Sequence, residues 1–150
     1  MKSLSTLLVL ALLSTASCKK TEDSVYTPPE RGKWTLGNTT YSVNSNSSSG
    51  ELFYSYDTSG NQISFAFKSF PPPAGNYTVI NDTAQITAQT VKVFVSGPVS
   101  GNTYFSTGTE NKAAEISFEM DKIKIVLPEV WVKKAYSDDS LKVSANLIPL

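Results

Sequence analysis

The chain has 150 residues, 40% of them hydrophobic and 11% aromatic, with 13 basic and 13 acidic side chains, no histidine and one cysteine. This balance, with Arg31 as the one arginine, excludes a nucleic-acid binder that relies on counterion release or bidentate base contacts. The lack of histidine excludes the usual Ser-His-Asp and Cys-His nucleophiles and most zinc sites, so that no cofactor or metal is expected.

Residues 1–17 have the three parts of a secretory signal: a positive start at Lys2, an apolar run from Leu4 to Leu13, and small residues at Ala16 and Ser17. The run is too short to span a bilayer, which takes about 20 apolar residues. The one cysteine, Cys18, follows at once in Leu12-Leu13-Ser14-Thr15-Ala16-Ser17-Cys18. This stretch resembles the lipobox of bacterial lipoproteins, with Thr15 in place of the usual Leu, a looseness shared with lipoproteins of the Bacteroidetes. The resemblance implies a thioether-linked diacylglyceryl group and an N-acyl, palmitate-type chain on Cys18. Several such chains hold a protein to the lipid bilayer, since each buried methylene contributes about 0.8 kcal/mol. Ordinary secretory cleavage is the alternative and would leave a free thiol.

Removal of residues 1–17 takes away Lys2 alone, leaving 12 basic against 13 acidic residues. Residues 18–31 then form the lipidated cysteine and a polar tether containing Pro28 and Pro29. The tether's charges, Lys19, Lys20, Glu22 and Asp23, resemble a surface-export signal of some Bacteroidetes lipoproteins; a merely polar spacer reads the same way.

From residue 32 to 150 the chain alternates apolar and polar residues in short runs, which predicts a single all-β domain. Strands are expected near 32–36, 39–43, 51–57, 62–68, 76–81, 84–95, 103–107, 114–120, 123–127, 129–134 and 141–148. Asn44–Gly50 reads as a solvent loop, Pro71-Pro72-Pro73 as an extended connection, and Asp121-Lys122 as a tight hairpin turn. Ile63, Phe65 and Phe67 share one face, as do Ile116, Phe118 and Met120, and Ile123, Ile125 and Leu127; these faces are expected to form the core. Many short strands separated by turns imply an antiparallel β-sandwich, with a small β-barrel as the alternative.

Gly32-Lys33-Trp34-Thr35, Thr39-Thr40-Tyr41, Phe67, Pro73-Ala74-Gly75-Asn76-Tyr77-Thr78-Val79, Lys122-Ile123-Lys124-Ile125 and Val143-Ser144-Ala145-Asn146-Leu147 resemble a loose group of small uncharacterised Bacteroidetes lipoproteins. That resemblance implies a β-sandwich-like domain and an envelope location, and carries no functional residues.

Chemistry-bearing candidates are few. Glu115 with Glu119, and Glu51 with Asp57, share strand faces and are the pairs to test for a carboxylate-dependent hydrolase, whose two acids stand about 5–10 Å apart. Asp57-Thr58-Ser59-Gly60-Asn61 places oxygens as the start of a calcium loop would, and also as a hairpin turn would. Asp23-Ser24-Val25, Asp82-Thr83-Ala84 and Asp139-Ser140-Leu141 resemble O-glycosylation acceptors of exported Bacteroidetes proteins. Among the aromatics, Tyr54 and Tyr56 share a strand face, and Trp131 is out of phase with Val130 and Val132, so these three are expected outside, where flat rings stack on sugars. The expectation is a non-enzymatic outer-membrane lipoprotein, periplasmic or surface-exposed, whose domain binds a glycan or an envelope protein or serves architecture. A carbohydrate-binding module of a polysaccharide-uptake system is the alternative, and the hydrolase ranks last.

Overall fold

The structure, a computed structural model, describes residues 32–97 and 101–148. Residues 1–31, and with them the expected signal, Cys18, the tether and the Asp23-Ser24-Val25 acceptor, lie outside the described residues. In chain order the strands are β1 Lys33–Leu36, β2 Thr39–Ser42, β3 Ser45–Ser49, β4 Leu52–Tyr56, β5 Gln62–Ala66 and β6 Gly75–Ile80. They continue as β7 Thr90–Ser96, β8 Thr103–Ser106, β9 Ala113–Glu119, β10 Lys122–Lys134 and β11 Ser140–Leu147. The domain is all-β, and one 3₁₀ turn, Thr83–Gln85, interrupts the strands.

Hydrogen bonding joins the strands in the order β2-β1-β11-β10-β9-β6-β7-β5-β4-β3, with β8 between β7 and β10. Every pair is antiparallel except β6 with β7. The two ends of this path are consecutive pieces of one segment. The Val43 amide donates to Gly32 O at 2.8 Å on the β1 side, and the next amide, Asn44 N, donates to Tyr56 O at 2.7 Å on the β4 side. Segment 39–49 therefore closes the ladder.

Two strands, β6 and β9, fill the space between β7 and β10 at one end, and β8 alone fills it at the other. Ser106 sits where β7 changes partner: its Oγ accepts from Val93 N at 3.1 Å and donates to Ile80 O. Close passage is helped by Gly108, at φ 65, where a Cβ would lie 3.0 Å from Asn81 N.

Alternation sorts the side chains. Val91, Val93 and Val95 point inward from β7 to meet Phe53, Ile63, Phe65, Ile116, Ile125 and Val143, and Trp34 stacks on Tyr41 with centroids 4.0 Å apart. In β10 the pairing with β11 shifts between Leu127 and Val130. This bulge at Pro128-Glu129 reverses the phase, so odd residues face the core before it and even residues after it.

The structure departs from expectation at five places. Asn44–Gly50 is not a free loop, because Ser45–Ser49 pairs with β4 as strand β3, held by backbone bonds that need no apolar side chain. The strand expected at 84–95 begins only at Thr90, because Asp82 caps the 3₁₀ turn by accepting from Ala84 N at 2.9 Å. The runs 123–127 and 129–134 are one bulged strand. The hairpin turn is Met120-Asp121, with φ of 49° and 62°, and Lys122 already pairs with Glu119. Phe118 and Met120 are not core residues: they are 43% and 86% exposed.

The inside–outside sort gives a direct test. Phe65→Ala, at a fully buried site, should cost about 3–5 kcal/mol in chemical denaturation. Phe118→Ala should cost about 1 kcal/mol or less.

Candidate functional site

On β5 two successive residues of the outward phase are small, Ser64 and Ala66, while their neighbours on the adjoining strands are large. Ser64 lies between Tyr54 of β4 and Phe94 of β7, Phe94 pairs with Phe105 of β8, and Phe105 pairs with Lys133 of β10. A cross-strand row, Tyr54–Ser64–Phe94–Phe105–Lys133, thus runs over the outer face. Ser64 is 4% exposed because the rings on either side cover it.

The rings in this row are fixed by one another. Tyr54 and Tyr56 stack with centroids 6.0 Å apart at 18°, and Phe94 meets Phe105 edge-on at 5.6 Å and 78°. Lys92 Nζ lies 5.4 Å from the Phe94 ring centre and 5.3 Å from that of Phe105. Among the described residues no carboxylate forms an ion pair with Lys92. The row opens into a shallow groove of about 910 Å³ lined by Lys92, Phe105, Thr107, Lys133, Tyr136 and Asp138. Lys133 bonds Asp138 at 2.8 Å, and this holds the Asp138 carboxyl below its ordinary range. The groove is a half-apolar face with hydroxyl and ammonium donors, suited to binding a flat polyhydroxylated molecule.

Trp131 lies outside this row. It faces outward as its phase predicts and is 38% exposed, but Lys142 Nζ stands 5.3 Å over its ring. Its amide donates to Glu110 Oε2 at 3.0 Å, Lys112 Nζ donates to Glu129 O at 2.5 Å, and Lys142 pairs with Glu129 at 2.6 Å. These contacts fasten the 107–112 loop to β10. Strands β8, β7 and β5 separate β10 from β4, about 19 Å of sheet at 4.8 Å per step, so Trp131 and the Tyr54–Tyr56 pair do not form one platform.

The acidic pairs are too widely spaced for joint chemistry. Glu115 and Glu119 are four residues apart on β9, about 14 Å, and Glu119 lies 3.9 Å from Lys124. Glu51 and Asp57 flank β4, about 20 Å apart. The Asp57 carboxylate closes its own turn, accepting from Ser59 N, Asn61 N and Asn61 Nδ2, each at 2.8 Å, so it serves the hairpin rather than a calcium loop. Among the described residues no group of three or more acidic, histidine or cysteine side chains is placed to hold a metal. Thr83 and Ser140, of the two remaining acceptor tripeptides, are exposed.

Periodicity singles out Tyr54 and Tyr56, whereas Phe94 and Phe105 join the row through the register of β7 and β8. Their signal was present: Phe94 is out of phase with Val91, Val93 and Val95, and Phe105 with Tyr104 and Ser106. No known protein family, curated protein or solved structure matches the chain.

The Glu129–Lys142 pair predicts a pH effect. Its hydrogen bond to Lys142 lowers the Glu129 pKa from 4.5, and the same bond raises Lys142 from 10.5. A lowered carboxylate contributes stability above its unfolded value and loses it as pH falls through the folded one. The stability difference between wild type and Glu129→Gln in urea unfolding should therefore be small but present at about pH 7 and absent at about pH 2.

Proposed function

We propose that the chain is an outer-membrane lipoprotein, anchored to the lipid bilayer through acylated Cys18 after loss of residues 1–17, whose β domain binds rather than catalyses. The signal-like segment and the lipobox-like stretch before Cys18 support the anchor, and the resemblance to Bacteroidetes lipoproteins supports the envelope location. The observation that carries the binding reading is the outer-face row of Tyr54, Phe94 and Phe105 beside Lys92. Cross-strand rings also stabilise the sheet, but a contiguous row of half-exposed rings on an outer face is the kind of apolar patch that marks a binding surface.

Carbohydrate is the ligand class this face suits best. Its rings offer apolar faces for the C–H side of a sugar, and the groove adds Thr107, Ser137, Asn81 and Lys133 for hydroxyls. Such a site fits an accessory module of a polysaccharide-uptake system. An envelope protein seated on the same face is the second reading. A hydrolase is the weakest, since the carboxylates singled out stand about 14–20 Å apart.

Affinity electrophoresis of the full protein against a panel of polysaccharides tests this. Wild type should be retarded by at least one, with Phe105→Ala and Tyr54→Ala each weakening binding about tenfold, equivalent to 1.4 kcal/mol. Trp131→Ala should leave the retardation unchanged. Equal mobility of wild type on every gel would retire the glycan reading.

A further inference from the structure

The β9–β10 hairpin outruns its neighbours. Pairing of β9 with β6 stops at Ile116, and pairing of β10 with β11 begins at Ile125 opposite Leu147, so Ser117–Lys124 extend past the ends of β6 and β11. At the tip Met120 is 86% and Phe118 43% exposed. Met120 and Asp121 both have positive φ, the backbone of a two-residue turn that favours Asn and Gly. A large apolar residue there gains no burial and adopts a disfavoured backbone, so folding does not account for it.

The surface behind the tip is mixed. A recess of about 430 Å³ is lined by Phe53, Phe70, Phe118 and Ile123 together with polar residues of β3 and the tip's Asp121 and Lys122, and Phe70 stacks on Phe53 at 6.0 Å. The acidic and basic groups around the tip, Glu119 and Asp121 against Lys122 and Lys124, balance, so its attraction is apolar rather than electrostatic.

This is also the end at which residue 32 stands. A Cβ on Gly32 would lie 2.6 Å from Ile148 N and 2.8 Å from Leu147 Cα, and Leu147 pairs with Ile125, three residues from the start of the hairpin strand. Residues 19–31 precede Gly32, and thirteen residues span at most about 45 Å. An anchor at Cys18 therefore enters the domain beside the hairpin and brings its tip within reach of the bilayer, while a tether as long as β10 leaves the orientation to be set by the domain's own surface.

We propose that the Phe118–Met120 hairpin tip seats in the interface of the bilayer that carries the anchor, giving the domain a second, non-covalent contact and a fixed orientation. The contact rests on acylation of Cys18, and it deepens that reading by naming the surface that meets the lipid. Insertion of two apolar side chains is weak by itself and suffices once the anchor keeps them at the surface. The groove by Tyr136, at the far end of β10, then faces away from the membrane.

The test uses the mature lipoprotein in phosphatidylcholine vesicles. Acylation blocks Cys18, so Met120→Cys and Tyr136→Cys each supply one free thiol for an environment-sensitive dye, at two exposed turns where substitution removes little packing. Intact mass reports the lipid, and nitroxide-bearing lipids report depth. The expected result is an acylated protein whose dye at 120 is blue-shifted and loses emission to shallow nitroxides, while the dye at 136 does neither. An acylated protein in which both dyes behave as in water overturns the docking and leaves the anchor intact. A mass without acyl chains, with Cys18 taking the dye as well, overturns the anchor and the docking with it.

Discussion

Two consecutive amides hold this fold closed. On an extended strand, neighbouring N–H groups point to opposite edges, so a strand with one neighbour leaves every second amide unpaired. At Val43 and Asn44 both are paired, one to β1 through Gly32 and the next to β4 through Tyr56. Segment 39–49 thereby joins the two ends of the ladder, and closure leaves one enclosed interior for Trp34, Phe53, Phe65 and the inward valines of β7 to fill.

Closure gives outward residues a separate role. The bulge at Pro128-Glu129 turns Val130 and Val132 inward and Trp131 and Lys133 outward, which supplies one end of the outer row. Ser64 and Ala66 keep β5 low between β4 and β7, so the rings of Tyr54 and Phe94 flank a shallow strip. The acidic and basic residues near Trp131 pin the 107–112 loop beside the place where β7 changes partner. One outer face thus divides into a region held by ion pairs around Trp131 and an aromatic region along Tyr54, Phe94 and Phe105. The hairpin tip and this groove lie at opposite ends of β10, some 40 Å of extended strand. The proposed bilayer contact at one end and the proposed ligand site at the other therefore do not compete for space.

Much of this was legible from alternation alone. The inward sets of β5 and β10 follow from period two, and so does the outward placement of Tyr54, Tyr56 and Trp131. What periodicity lacks is knowledge of where a strand outruns its partners. Phe118 and Met120 have the same phase as Ile116, yet the pairing of β9 with β6 ends at Ile116, so correct phase does not mean burial. Strand β3 escaped for a different reason: Ser and Asn have little strand preference, and this segment is ordered by its backbone pairing with β4 and its place in the closure. The aromatic row is tertiary, since Tyr54, Phe94 and Phe105 come from three separated stretches and meet through register.

Amide hydrogen exchange at Val43 and Asn44 in the full chain tests the closure most directly. Both amides should exchange slowly, in the class of the β10–β11 pairs. Protection at one of them with fast exchange at the other would mean an open edge at segment 39–49, and would contradict the closed ladder from which the interior, the outer row and the projecting hairpin are derived.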